Sequence, residues 1–139
     1  MTPGKKKPDE VQWKKVAIAV TETGAISPTH FGDAERILFA KVRPGEFRIL
    51  EIRPNPVKQV DENQHGSADK LNKAAGLMKD VDIVATGKLS GNFKKMRSKK
   101  GKWPFITKLD PEPFLIWLIH SLPALESWFD NPEHTVYRT

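Results

Sequence analysis

The segment that organises this chain is Lys15-Val-Ala-Ile-Ala-Val20, a short apolar run bounded by polar residues. Its β-branched side chains favour a strand, and the lack of alternation with polar residues indicates burial on both faces. Strands of this kind lie inside a sheet that carries helices on both of its sides. We therefore predict a central strand here, with the rest of the domain built outward from it.

Four further strands are predicted, all of them after this run in the sequence. Residues 36–43 and 46–53 are predicted to form a hairpin because Pro44-Gly45 separates them. Polar residues within 46–53 indicate that one face of the second strand is exposed to solvent. Residues 81–86 and 103–107 are the other two strands, and Pro104 favours an edge position for the last one.

Three helices are predicted between and after these strands. Ser67 is a candidate cap for a helix whose apolar residues recur at helical spacing as far as Met78. A short basic helix follows near residues 91–100. Asp110 then caps a third helix that we expect to stop at Pro123, with a separate helical turn over residues 124–129.

The resulting element order, β-β-β-α-β-α-β-α, indicates an α/β fold. Three strands in hairpin succession predict an antiparallel region, and the alternating units predict a parallel one. A five-stranded mixed sheet of order 3-2-1-4-5, with helices on its faces, satisfies both. Ligands in such sheets bind at the carboxyl ends of strands where the connections switch direction, here after residues 20 and 86.

Length and composition limit the domain organisation and the chemistry. The 139 residues fit one α/β domain over residues 13–108, preceded by a disordered basic arm (1–12) and followed by a helical extension and tail (109–139). The absence of cysteine excludes disulfides, thiolate metal sites and a cysteine nucleophile. No apolar run is long enough to span a membrane and the start is polar, so we expect a cytoplasmic protein without a membrane partner.

The net charge of +6 is concentrated in one segment, because residues 86–103 hold seven basic side chains and no acidic one. Such a patch suits an anionic partner: nucleic acid, an anionic cofactor or an acidic protein. Residues 94–102 have two interpretations, a nucleic-acid-binding stripe or a solvated helix face with Phe93, Met96 and Trp103 in the core. We favour the second, since base-stacking platforms usually present exposed aromatic residues on a sheet.

Two histidine-containing loops are candidate binding segments. Ser27-Pro-Thr-His-Phe-Gly32 follows the first strand, so His30 is a candidate metal or cluster ligand, with Phe31 as an inward anchor and Gly32 able to adopt positive φ. His65-Gly66 precedes the Ser67 cap, where free N–H groups attract anions. Local hydrogen bonding of an ordinary loop histidine is the alternative for both.

A third candidate is the loop Thr86-Gly-Lys-Leu-Ser-Gly-Asn-Phe93. Gly87 and Gly91 permit close approach of the backbone to a ligand, and Lys88 adds a positive charge. The spacing does not match a nucleotide-binding P-loop. No nucleophile elbow, zinc-protease motif or carboxylate set accompanies these loops, so we expect a protein that is not an enzyme.

Taken together, these segments resemble the dinitrogenase iron–molybdenum cofactor biosynthesis family over about residues 14–108. The resemblance rests on five segments: the first strand, His30-Phe-Gly32, the strand pair, His65-Gly66 before a helix, and Val81-Asp-Ile-Val-Ala-Thr-Gly87. Thr86-Gly-Lys-Leu-Ser-Gly91 replaces the glycine-rich stretch usual in that family.

The resemblance implies a ribonuclease H-like fold and a non-catalytic role in carrying an iron–molybdenum or iron–sulfur cluster cofactor. It implies cofactor-assembly proteins as partners and His30 and His65 as metal ligands. The cofactor-binding residues that the resemblance implies are His30, Phe31, Gly32, His65, Gly66, Gly87 and Gly91, and we add Lys88 because its positive charge would stabilise an anionic cofactor. A nucleic-acid-binding or adaptor role for residues 94–102 remains the alternative.

Overall fold

The computed structural model describes residues 12–55, 78–98 and 101–139. The strands are β1 Lys14–Val20, β2 Arg36–Arg43, β3 Glu46–Pro54, β4 Ile83–Thr86, β5 Trp103–Ile106 and β6 Tyr137–Arg138. The helices are α1 Gly91–Ser98 and α2 Pro111–Phe129, and a 3-10 turn covers Phe31–Asp33. Three predicted features lie outside the described residues. They are the basic arm, except for Gln12; His65-Gly66; and the helix predicted to begin at Ser67, except for Met78.

One mixed sheet of order β3-β2-β1-β4-β5-β6 forms the centre of the described structure. β1 pairs antiparallel with β2, and β2 pairs antiparallel with β3. β1, β4, β5 and β6 are successively parallel. The predicted α/β class, the order 3-2-1-4-5 and the central position of β1 are confirmed.

The predicted count of five strands is wrong, because β6 adds a sixth beyond β5. Tyr137 and Arg138 pair with Phe105 and Ile106, so β5 is not the edge strand that its proline suggested. Pro104 is tolerated for a geometric reason: Trp103 N–H donates to Asp82 O, just before β4, and Thr107 N–H donates to Thr86 O, so alternate N–H groups of β5 point toward β4. Its own nitrogen therefore faces away from β4, ahead of the point where β6 begins.

Alternate residues of β1 enter two separate cores, which explains its uninterrupted apolar sequence. Val16, Ile18 and Val20 pack on the face covered by α2. Ala17 and Ala19 pack on the opposite face, with apolar residues that include Phe31, Phe39, Met78 and Phe93. Burial on both faces, predicted from the sequence, is confirmed.

Helix α2 continues through Pro123, so the predicted end of the helix at that residue is wrong. A proline inside a helix leaves the carbonyl four residues earlier without its usual N–H donor. Here that carbonyl belongs to Ile119, and the Gly45 N–H of the β2–β3 turn donates to it at 3.2 Å. The hairpin thus supplies the hydrogen bond that the proline removes.

The β2–β3 hairpin has the predicted Pro44-Gly45 turn, in which Gly45 adopts a φ of +78°. Arg43 and Glu46 close it, with Arg43 Nη2 donating to Glu46 Oε1 at 2.7 Å. This hydrogen bond, more than the attraction between the charges, lowers the pKa of the Glu46 carboxyl.

An aromatic cluster joins α2 to β5 and β6. The Phe105 ring lies 5.6 Å from Phe114, 5.9 Å from Trp117, 5.6 Å from Phe129 and 5.7 Å from Tyr137, measured between ring centroids. Residues beyond 109 therefore share one core with the sheet, although the boundary at 108 stays a prediction. In the described part of the chain, no helix is long and apolar enough to cross a membrane.

Candidate functional site

The candidate site lies where β1, β4 and β5 end. These three strands are parallel, so Val20, Thr86 and Ile106 end at the same edge of the sheet. The loops that follow them, over residues 21–30, 87–90 and 107–110, meet at this carboxyl edge. This is the edge that the sequence predicts for ligand binding.

The loop after β1 folds back and extends the sheet beside β4. Ser27 N–H donates to Ala19 O at 2.9 Å, and Gly87 N–H donates to Ser27 O at 2.9 Å. His30 and Lys88 then form a parallel bridge between the two loops. The chain fold therefore brings together two candidate residues that are 58 positions apart in sequence.

Gly87 is required by the close approach of these two loops. A Cβ atom at this position would lie 2.4 Å from Ser27 O and 3.0 Å from Pro28 Cα, closer than real Cβ contacts allow. The sequence predicts that this glycine makes room for a ligand, and that prediction is wrong. In the structure the space is occupied by the backbone of residues 27–28.

A chain of hydroxyl groups fixes the backbone just before His30. Thr86 Oγ1 donates to Thr29 O at 2.8 Å, and Thr29 Oγ1 donates to His30 O at 3.0 Å. Ser27 Oγ lies 2.7 Å from Thr29 Oγ1. Ser27, Thr29 and Thr86 all lie within the loop segments quoted from the sequence, but no sequence pattern assigns them this role.

Phe31 is buried, as predicted for an inward anchor, and its ring stacks on Phe93 at 5.9 Å between centroids. The buried Asn55 also holds the turn, because its Nδ2 donates to Phe31 O at 2.9 Å and to Ala34 O at 3.0 Å. Gly32 lies in the 3-10 turn without positive φ, so the special conformation considered for it is not used.

His30 presents a partly exposed imidazole at this edge. Its side chain is 40% exposed, and Nδ1 lies 3.6 Å from Asp33 Oδ2. Within residues 12–55, 78–98 and 101–139, no three His, Asp or Glu side chains come together as a metal site. His65, the second predicted ligand, lies outside these ranges.

Helix α1 begins close to His30 and Lys88. Ser90 Oγ accepts a hydrogen bond from Phe93 N–H at 3.2 Å and so caps the first turn. Gly91, the first helical residue, is exposed with open space around its Cα. The positive end of the helix and the exposed Lys88 both favour negative charge at this edge.

Beside Gly87 the carboxyl edge contains a cavity of about 760 Å³. Its wall combines aromatic, cationic and hydroxyl side chains, contributed by Gly87, Ile106, Thr107, Lys108, Leu109, Trp117, Tyr137, Arg138 and Thr139. No sequence pattern predicts this cavity, because β6 brings Tyr137 and Arg138 to the edge without any periodic signal.

The basic segment 94–102 divides into outward and inward side chains. Lys94 and Lys95 are exposed. Arg97 donates to the carbonyl of Phe129, and its guanidinium lies 5.2 Å from that ring's centroid. Lys102 is buried and donates to the carbonyls of Met78, at 2.8 Å, and Val81.

The aromatic and apolar residues of this segment face inward, as the favoured interpretation predicts. Phe93 is fully buried, Met96 packs against the same core, and Trp103 stacks on Phe129 at 4.8 Å between centroids. Beside Lys94 and Lys95, the described part of this segment contains no exposed aromatic side chain.

Replacing Lys102 with methionine is expected to lower the free energy of unfolding by about 2–3 kcal/mol. The change leaves two buried carbonyls without their charged donor, whereas a methionine fills a similar volume. Urea unfolding monitored by fluorescence measures the difference. Lys95→Met, at an exposed position of the same segment, is the control and should change the value by less than about 0.5 kcal/mol.

Comparison with known proteins gives a family for this arrangement. A family model described as dinitrogenase iron-molybdenum cofactor matches residues 14–111. The chain belongs to that family. The matched region runs from β1 to the first residue of α2 and includes the histidine loop, the β4 loop and α1. The resemblance found in the sequence is confirmed, and α2 beyond Pro111 and β6 lie outside the matched residues.

Other comparisons add little to this assignment. Among solved structures, one similar chain is the Aquifex aeolicus member of the Ppx/GppA protein family, at 14% identity and a TM-score of 0.20. The alignment covers 92% of this chain and 35% of that one, so this chain spans about a third of its length. At that TM-score the likeness bears on neither fold nor function. No curated protein matches the chain at a significant level.

Proposed function

We propose that this member of the dinitrogenase iron-molybdenum cofactor family is a non-catalytic carrier for an anionic iron–molybdenum or iron–sulfur cluster. The cluster is its cargo, bound at the carboxyl edge beside His30. The observation that carries the proposal is the bridge between His30 and Lys88, which places an imidazole and an exposed ammonium group in adjacent loops. An imidazole binds iron or molybdenum, and an ammonium group stabilises a negatively charged cluster.

The surroundings of this pair support an anionic cargo. The α1 N-terminus begins three residues after Lys88, and its dipole favours negative charge. Lys108 and Arg138 add two cations in the neighbouring cavity, which Gly87 also lines. Because the chain has no cysteine, the cluster must arrive with its own sulfur atoms, which suits a carrier better than an assembly enzyme.

The proposal includes the remaining expectations from the sequence. The strand order 3-2-1-4-5, with β1 to β3 antiparallel, supports a ribonuclease H-like arrangement. The partners are cofactor-assembly proteins that deliver and accept the cluster, and the location is cytoplasmic. His65 and Gly66 are proposed as a second contact with the cargo, on the strength of the sequence alone.

Replacing His30 with alanine is expected to reduce retention of the cluster at least about tenfold, equivalent to about 1.4 kcal/mol. The loss follows from removing the imidazole ligand, while the thermal midpoint stays within about 2 °C because the side chain is partly exposed. The measurement is iron and molybdenum content after anaerobic loading from a cofactor-bearing donor protein and desalting.

His120→Ala is the matched control, since His120 is exposed on α2, away from the loops of the site. His134 is unsuitable, because its ring stacks on Trp128 and its Nδ1 lies 2.8 Å from Trp128 O. Equal retention by His30→Ala and the wild-type chain would refute the assignment of His30. Failure of the wild-type chain to take up any cluster would refute the carrier function.

A further inference from the structure

β3 is the edge strand of the sheet and carries an apolar surface. Ile49, Leu50 and Ile52 are 50%, 48% and 44% exposed. Its outer side has no strand neighbour among residues 12–55, 78–98 and 101–139. Natural edge strands are usually short or carry features that prevent pairing with another chain. β3 is nine residues long and its proline is the last of them, Pro54, but it also carries charged side chains and a β-bulge, so a partner strand must match their positions.

A β-bulge determines which side chains of β3 share a face. Phe39 pairs with Glu51 and Ala40 pairs with Ile49, so Leu50 is an extra residue in β3. Without the bulge, residues 48 and 51 would point to opposite faces of the sheet. With it, four charged residues line the same face, in the order Glu46, Arg48, Glu51 and Arg53.

The same register shows which backbone groups of β3 point outward. Asn55 N–H donates to Glu35 O, so the neighbouring pair, Arg36 and Pro54, is a non-hydrogen-bonded pair. Alternation along the strand then directs the backbone groups of Phe47 and Ile52 away from β2. These N–H and C=O groups are available to another strand.

We propose that β3 pairs antiparallel with β3 of a second copy of this chain. The charges along the strand read negative, positive, negative, positive, and an antiparallel copy presents the reverse order. In the register that pairs residue 48 with residue 51, Arg48 faces Glu51 of the second copy and Glu46 faces its Arg53. The apolar Phe47 then faces Ile52, and Ile49 faces Leu50.

This register satisfies two geometric requirements together. The paired charges lie on one face, and Phe47 and Ile52 both have outward backbone groups, as a hydrogen-bonded pair needs. Because the two copies are related by a two-fold axis, each of these pairs occurs twice. Each cross-strand pair contributes only modestly to the free energy of association, so the contact is weak and reversible. Its buried area lies at the low end of the range for specific interfaces.

Cysteine cross-linking tests the register, since the natural chain contains no cysteine. Arg48 and Glu51 are exposed, so Arg48→Cys and Glu51→Cys should fold normally. In a non-hydrogen-bonded antiparallel pair the two Cα atoms lie about 4.5 Å apart, which a disulfide can bridge. Two copies of residue 48 would be about 10 Å apart, which is too far.

We expect an equimolar mixture of the two full-length variants to form a mixed disulfide dimer under mild oxidation. Either variant alone should give at least tenfold less dimer, as should Arg48→Cys mixed with Lys95→Cys. Mass spectrometry distinguishes the mixed product from the symmetric ones. Equal cross-linking by the single variants, or none in the mixture, would overturn the proposed register.

Charge reversal provides a second measurement. Sedimentation of the wild-type chain should show reversible association from 15.7 kDa toward twice that mass as concentration rises. Arg48→Glu or Glu51→Arg should weaken association at least tenfold, and the double variant should restore it. A wild-type chain that stays monomeric, or single variants that associate normally, would refute the proposal. Cluster retention is not measured, so the result is independent of the carrier function.

Discussion

A chain that ends at Leu109 is expected not to fold. It lacks α2, whose buried residues cover one whole face of β1, β2, β4 and β5. They are Pro111, Phe114, Leu115, Leu118, Ile119, Leu122, Leu125 and Phe129. Burial of a large apolar side chain contributes about 1.5–3 kcal/mol, so their combined loss is comparable to or larger than the net stability of about 5–15 kcal/mol of a typical domain.

The measurement is far-UV circular dichroism combined with urea unfolding of residues 1–109. A chain that ends at Asp130 is the control: it retains α2, loses β6 and the Trp128–His134 stack, and should unfold cooperatively at lower urea. If residues 1–109 alone unfolded cooperatively near the urea midpoint of the full-length chain, the stability of the sheet would not depend on α2. The boundary predicted at residue 108 would then mark an independent domain.

The elements that sequence patterns predict correctly are those whose local signals agree with the final packing. β1 has one uninterrupted apolar run, and both of its faces are buried. The β2–β3 turn contains a glycine with positive φ. Where long-range contacts override the local signal, prediction fails. Pro123 as a local signal predicts the end of a helix. The Gly45 N–H, 78 residues away in sequence, supplies the hydrogen bond to Ile119 O that the proline cannot make, so the helix continues.

The candidate site shows the same division. The position of His30 and Lys88 follows from the rule that loops at the ends of parallel strands meet, and the structure joins them. The aromatic and cationic cavity could not be predicted, because two of its nine lining residues, Tyr137 and Arg138, belong to the two-residue strand β6, which has no periodic signal. Asn55 was also missed, since the carbonyls that it binds lie 21 and 24 residues earlier in the chain.

Replacing Gly87 with alanine is expected to lower the free energy of unfolding by about 3 kcal/mol, near the upper end for overpacking. The new Cβ would lie 2.4 Å from Ser27 O, a backbone atom that cannot move as a flexible side chain would. The same oxygen accepts the Gly87 N–H bond, so moving it away costs that bond as well. Urea unfolding gives the change in stability, and the His30 ring resonances report displacement of the loop.

Gly91→Ala is the matched control, because it lies four residues away at the start of α1, with no atom within 4 Å of the new Cβ. Its φ is not positive, so alanine should leave stability unchanged or raise it by about 0.5 kcal/mol. If Gly87→Ala retained wild-type stability and His30 resonances, the packing of the two loops would not depend on glycine. A destabilised Gly87→Ala that also loses the cluster would show that the contact between residues 27 and 87 keeps His30 beside Lys88.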